Sequence, residues 1–285
     1  MLYLGCPQWA NNAWKGSLFT SDCQNAQMLA QYAQVFNSVE GNTTFYADPK
    51  ADTVQRWHDA TGDDFRFTFK FPKRFSHDLT LQCDKQAVHD WLKLMSPLME
   101  KTGSLMLQLP ASFAPMHLSR LQHFMAQIPT DIGRSIEVRH PEFFTKGDGE
   151  KQLNRYCFEQ GIDRVCMDTR ALFAAKPHNE AIIDAQQKKP HLPVHAIALG
   201  QRPIVRFVIA AMGDEYQSYY QPWLRKIKQW LDEGRQPYVF LHTADNHGAP
   251  LLARQFASDL KAYCGYHHRA IEPFAGEYNQ QSSFF

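Results

Sequence analysis

The chain has 285 residues, 44% hydrophobic and 13% aromatic, which is enough apolar chain for a substantial core and excludes a disordered protein. Its 30 Lys and Arg against 29 Asp and Glu give a formal net charge of +1. That balance excludes the broad basic face of a general nucleic-acid or membrane-surface binder. The 6 cysteines are scattered with no C-x-x-C pair, the pattern of reduced thiols expected in the cytoplasm. No basic, then apolar, leader opens the chain, and no apolar run has the length of a bilayer span.

Short apolar runs alternate with segments of helical period. Strands are expected at Leu2–Gly5, Val39–Asn42, Phe65–Phe71, Leu105–Leu109, Ser135–Arg139, Val165–Asp168, Ile204–Ile209 and Tyr238–His242. One-sided helices lie between them, marked by Met28, Tyr32 and Val35; by Val88, Trp91, Met95 and Leu98; and by Leu118, Leu121 and Met125. Another carries Trp223, Ile227, Trp230 and Leu231, and a last one runs over Leu251–Tyr263. Gly103, Gly161 and Gly234 stand where left-handed helix C-caps are expected.

Eight strands alternating with helices is the arithmetic of a single-domain α/β fold, the (β/α)8 TIM-type barrel. The barrel is expected over residues 1–265, with a long excursion at about 170–202 that contains Lys188-Lys-Pro190, and a C-terminal extension over 266–285. A doubly wound sheet is the rival, but no Gly-rich turn follows the first strand.

Strand parity then sorts the side chains. Helices must cover the outer face of a barrel, so the apolar residues of each strand belong there. In Ser135-Ile-Glu-Val-Arg139 this sends Glu137 and Arg139 inward. In Arg66-Phe-Thr-Phe-Lys-Phe71 it sends Arg66, Thr68 and Lys70 inward. The same rule places Glu40, Asn42, Met106, Gln108, Asp168, Arg206 and His242 inside, with Val165 and Met167 outside. Buried charges must pair, bind a ligand or line an open mouth, and most of these fall at the C-terminal strand ends where barrel enzymes work. A salt-bridge network of Glu137, Arg139, Glu40 and Lys70 that only closes the barrel is the competing explanation.

The segments Gly5-Cys-Pro-Gln-Trp9, Val39-Glu-Gly-Asn-Thr-Thr-Phe-Tyr46, Phe67-Thr-Phe-Lys-Phe-Pro72 with Ser76-His77, and Gln108-Leu-Pro-Ala-Ser-Phe113 carry a resemblance. Ile136-Glu-Val-Arg-His140, Val205-Arg206 and Phe240-Leu-His-Thr-Ala-Asp-Asn246 extend it. Over almost its whole length the chain resembles the YecE-like family, bacterial proteins grouped as a domain of unknown function. The resemblance implies a TIM-type barrel and carries no activity. Where the wider family has a Leu-His-Gly-like triplet after the arginine, this chain has Phe207-Val-Ile209, so no histidine role transfers to that strand.

The inward carboxylates Glu40, Glu137 and Asp168 are the candidate catalytic groups, as general acid and base across a mouth. Lys70, Arg139 and Arg206 have the charge and fork geometry to grip phosphate or carboxylate. Asn42, Gln108, His77 and His242 add polar contacts, and Trp9, Phe45 and Tyr46 offer rings for a sugar or base beside the mouth. The expected partner is therefore a small anionic, phosphate-containing ligand, with no cofactor assigned. Asp245, His247, His140 and His242 could contribute to a metal-dependent hydrolase, but no close H-x-x-x-H spacing supports it. A different class rests on Gln281-Ser-Ser-Phe-Phe285: a glutamine followed by paired aromatics, Phe284 and Phe285, resembles peptides that dock on the bacterial sliding clamp.

Overall fold

Alternation of apolar and polar residues produces strands whose two faces differ sharply. The structure, a computed structural model, describes residues 1–213 and 215–281. Its strands are β1 (Tyr3–Gly5), β2 (Ser38–Gly41), β3 (Arg66–Lys70), β4 (Thr102–Gln108), β5 (Arg134–Glu137), β6 (Asp163–Arg164), β7 (Cys166–Asp168), β8 (Ile204–Val208) and β9 (Tyr238–His242). The helices are α1 (Met28–Val35), α2 (Thr43–Tyr46), α3 (Ala51–Asp59), α4 (Lys85–Met95), α5 (Leu118–Met125) and α6 (Asp148–Glu159). They continue as α7 (Arg170–Ala174), α8 (Glu180–Lys188), α9 (Gln217–Asp232), α10 (Ala249–Cys264) and α11 (Ala275–Gln281). No helix among the described residues is long and apolar enough to cross a membrane.

All strand pairs are parallel, as helical crossovers require. The ladders of the described residues form two sheets, ordered β1-β9-β8-β7 and β2-β3-β4-β5-β6. They do not form the single closed ring expected from the strand count. The reason is visible where the sheets abut. Between β1 and β2, side chains take the backbone groups that a ladder would use. Tyr32 of α1 accepts from Cys6 N (2.7 Å) and donates to Ser38 O (2.8 Å). Asn37 accepts from Leu4 N (2.8 Å) and donates to Leu2 O (2.9 Å). One main-chain bond, Glu40 N to Cys6 O (3.1 Å), lies beside them. Approach here is close enough that a Cβ on Gly5 would sit 1.9 Å from Ser38 O. On the other side, Val165 separates β6 from β7, and its N–H reaches Ile136 O at 2.9 Å.

Phe67, Phe69, Leu105, Leu107, Ile136, Val205, Phe207, Val239 and Leu241 all join the large core under the helices, as parity predicts. The inner face has a smaller apolar plug of Tyr3, Met106, Val165, Ile204, Tyr238 and Phe240. Tyr3 and Tyr238 stack in it with centroids 4.5 Å apart. The plug fills the space beneath the charged residues, so the polar groups sit on a floor that excludes water from below.

One strand runs opposite to the expected phase. Val165 belongs to the inner plug, and Met167 Sδ lies 4.0 Å from Arg206 Nη1. Asp168 therefore faces outward, where Trp223 Nε1 of α9 donates to it at 2.8 Å and Arg170 grips both its oxygens (2.9 and 2.8 Å). Apolarity misassigned the faces because the inner plug is itself apolar, so Val and Met suit either side. Arg66 also lies away from the C-terminal edge. Its guanidinium donates to the carbonyls of Asp63 and Phe65 at the N-terminal end of β3.

Candidate functional site

Five of the expected charged residues converge at the C-terminal edges of the strands. Glu40 ends the inner face of β2, Lys70 ends β3, Glu137 ends β5, Arg139 follows it, and Arg206 lies mid-β8. Arg206 donates from Nε to Glu40 Oε2 (2.7 Å) and from Nη1 to Glu137 Oε2 (2.5 Å). Arg139 closes on the other oxygen of Glu137, with Nε at 2.8 Å and Nη2 at 2.7 Å. Lys70 Nζ lies 3.2 Å from Glu40 Oε1 and donates to Gln108 Oε1 at 2.8 Å. Glu40, Glu137, Lys70 and Arg206 are buried, and only Arg139 keeps appreciable contact with solvent.

These contacts set the protonation states. Burial opposes ionisation of Glu40, but Arg206 and Lys70 outweigh it and hold the carboxyl well below the usual carboxylate range. Burial likewise opposes ionisation of Glu137, and Arg206 and Arg139 together hold it low. Burial and the neighbouring Arg206 bring Lys70 down to about 8. Burial dominates at His242, pushing it down to about 3, so the imidazole is neutral at pH 7. Its Nε2 lies 3.3 Å from Glu40 Oε2 and makes no hydrogen bond among the described residues; nor does Glu40 Oε1. The cluster therefore holds three cations against two carboxylates.

Above this floor opens a cavity of about 530 Å³. Lys70, Gln108, Arg139, Arg206 and His242 line its base, and Trp9, Asn42, Phe45 and Tyr46 line one wall. Asn42 is tied down by donating to Pro7 O at 2.8 Å. Tyr46 is 74% exposed, whereas Trp9 packs edge-on against Trp57 and Phe67. His77 stands behind that wall: its Nδ1 lies 2.8 Å from Ser76 Oγ and its ring packs edge-on against Phe45. Asp168 lies outside the cluster. Of the histidines weighed as metal ligands, His140 Nδ1 accepts from Glu142 N, and Asp245 Oδ1 accepts from His247 N, both local turn contacts. Phe284 and Phe285, with the side chain of Gln281, fall outside the described residues.

Lys189 is a cavity residue that strand parity could not find, as are Asp184, Ala185 and Lys188 of α8. Lys189 caps the C-terminus of α8, beyond the last residue of that helix, and lines the cavity. Thr169 Oγ1, at the end of β7, donates to Pro190 O at 2.8 Å and ties this segment to the strand edge. Its neighbour Lys188 pairs with Asp184 at 2.6 Å and is mostly exposed. The two adjacent lysines look alike in sequence; in the structure Asp184 engages only Lys188.

Parallel sheets wrapped by helices, with a charged cluster at their C-terminal edge, define an α/β protein. The chain belongs to the family described as "Protein of unknown function DUF72", whose model matches residues 3–273. It is 44% identical over 261 residues to the UPF0759 protein YecE of Escherichia coli, covering 92% of this chain and 93% of that one. The fold is similar to a crystallised DUF72 family protein of Enterococcus faecalis, with a TM-score of 0.70 at 16% identity over 94% of this chain and 97% of that one. A second, from Thermotoga maritima, has a TM-score of 0.67 at 20% identity over 92% and 99%.

Proposed function

We propose that the two sheets act as one eight-stranded barrel and that its C-terminal mouth binds a small anion bearing phosphate or carboxylate. One observation carries this reading: the cavity floor holds Lys70, Arg139 and Arg206 against only Glu40 and Glu137. A net positive charge in a partly desolvated site is costly on its own, and an anionic ligand offsets it. Arg139 presents the most accessible of the three cations, and its planar fork suits a carboxylate or phosphoryl oxygen. The cavity volume suits a small molecule, and the exposed ring of Tyr46 supports a flat or sugar-like portion beside the anionic group.

The two glutamates are weak bases in this setting, because each is locked to a guanidinium. Their pairing supports a positioning role, holding Arg206, Arg139 and Lys70 in place. The 6 free thiols support a reducing compartment such as the cytoplasm.

Calorimetric titration with inorganic phosphate, pyrophosphate and citrate at neutral pH tests the reading. At least one anion is expected to bind and to raise the melting temperature, by about 2.7 kcal/mol of added stability at 100-fold excess over its Kd. Arg139→Ala is expected to weaken that binding at least ~10-fold, the loss of one charge-assisted pair. A cluster that binds none of these anions, with the variant and parent equally inert, is an internal network that only ties the strands together.

A further inference from the structure

Lys189 differs from every other cation of the mouth. Lys70, Arg139 and Arg206 are each engaged with Glu40 or Glu137. No ion pair or hydrogen bond holds the Lys189 Nζ among the described residues, although the residue is largely buried in the cavity wall. Its backbone is rigidly placed, with its N–H on Ala185 O at 2.9 Å and Pro190 O held by Thr169. We propose that Lys189 is a nucleophilic lysine that binds an anionic aldehyde or ketone as an imine at this mouth.

The chemistry is that of a desolvated amine among like charges. Burial is the main cause that pushes the Lys189 ammonium down, to about 7. Arg206 and Lys70 push it the same way, while Glu40 and Glu137 oppose them. His242, neutral, adds no charge, and Asp184 is occupied by Lys188. Near neutral pH a large fraction of Lys189 therefore carries its nitrogen lone pair. That pair attacks the carbonyl carbon, a C–N bond forms, and the carbonyl π pair moves to oxygen. The two nitrogen protons leave with that oxygen as one water, giving the imine with no oxidant or reductant. The inference rests on the anion-binding reading only for the ligand's acidic group, which Arg139 would meet across the cavity.

Pyridoxal 5′-phosphate is a suitable probe, since it combines an aldehyde, a phosphate and a flat ring. The full-length protein is treated with it across a pH series, reduced with sodium borohydride, and mapped by peptide mass spectrometry. Lys189 is expected to be labelled at least ~10-fold over Lys188 at pH 7, with a midpoint near 7 rather than the ~10.4 of an ordinary lysine. Lys189→Arg keeps the charge and is expected to melt like the parent while losing the label. Label spread evenly over Lys188 and surface lysines, or a Lys189 midpoint near 10, overturns the proposal. Inorganic phosphate and the uncharged propionaldehyde separate the two readings. If propionaldehyde labels Lys189 with a midpoint near 7 and phosphate gives no protection, the nucleophile stands and the anion site fails. If phosphate binds while neither aldehyde marks Lys189, the anion site stands and the imine fails.

Discussion

Arg206, on β8 of one sheet, holds two carboxylates of the other, Glu40 on β2 and Glu137 on β5, and is itself 2% exposed. Removing one member of such a buried set strands the others. Arg206→Met is therefore expected to cost about 3–5 kcal/mol in urea denaturation, because two buried glutamates lose their main partner. Arg139→Ala is expected to cost only about 1–2 kcal/mol, since Glu137 keeps Arg206 and the lost side chain was partly solvated. Equal costs for the two would show that Arg206 is not the centre of the network. The residues of this cluster were legible in the sequence because a charge among strand apolars has few places to go. Its pairing was not, since Glu40, Glu137 and Arg206 are joined only when distant strands are brought side by side.

Among the elements, β1 and β2 meet through side chains rather than a ladder, and Tyr32 spans them with one hydroxyl. Tyr32→Phe keeps the ring but leaves Cys6 N and Ser38 O buried without that partner. A loss of about 1–3 kcal/mol is expected by thermal or urea unfolding, and a neutral result would mean the seam relaxes into direct pairing. On β7, Asp168 serves α9 and α7 rather than the mouth. Asp168→Asn is expected to lower stability by about 1–3 kcal/mol while leaving phosphate binding within about twofold of the parent, as titration would show. A loss of binding comparable to Arg139→Ala would return Asp168 to the site. Strand phase was readable wherever charge and β-branched or aromatic residues alternate, as in β3, β5 and β8. It failed on Val165-Cys-Met-Asp168, where three of the four residues suit a core and the inner plug is also a core.

The whole molecule carries buried groups whose titration couples to folding. His242 and His268 have folded values near 3 and 4, below the ~6.5 of an exposed imidazole, so unfolding takes up a proton at each as pH falls below 6.5. Asp163 runs the other way. Burial raises it to about 6, so between pH 6 and about 4 it releases a proton on unfolding. Near pH 5 the balance of these three is one proton gained, and stability is expected to fall by about 1.4 kcal/mol per pH unit. Glu40 and Glu137 have folded values below their unfolded ones, so the stability they contribute is present above the usual carboxylate range and is lost as pH falls through it. Urea midpoints from pH 7 to 4 should therefore decline and steepen below about 4.5; a midpoint that rises on acidification contradicts these assignments.

The sequence by itself determined the alternation of strands and helices, the apolar outer face, and the presence of a charged set near the C-terminal strand ends. These follow from periodicity and the cost of burying unpaired charge, which act residue by residue along the chain. Only the tertiary structure decided that the ladders divide into two sheets, that Asp168 turns outward, and that Thr169 ties the segment after Lys189 to the strand edge beside the cavity. Each of those depends on what stands across a gap: a tyrosine hydroxyl, an indole N–H, a threonine tether. Such partners come from elsewhere in the chain, and no local pattern announces them.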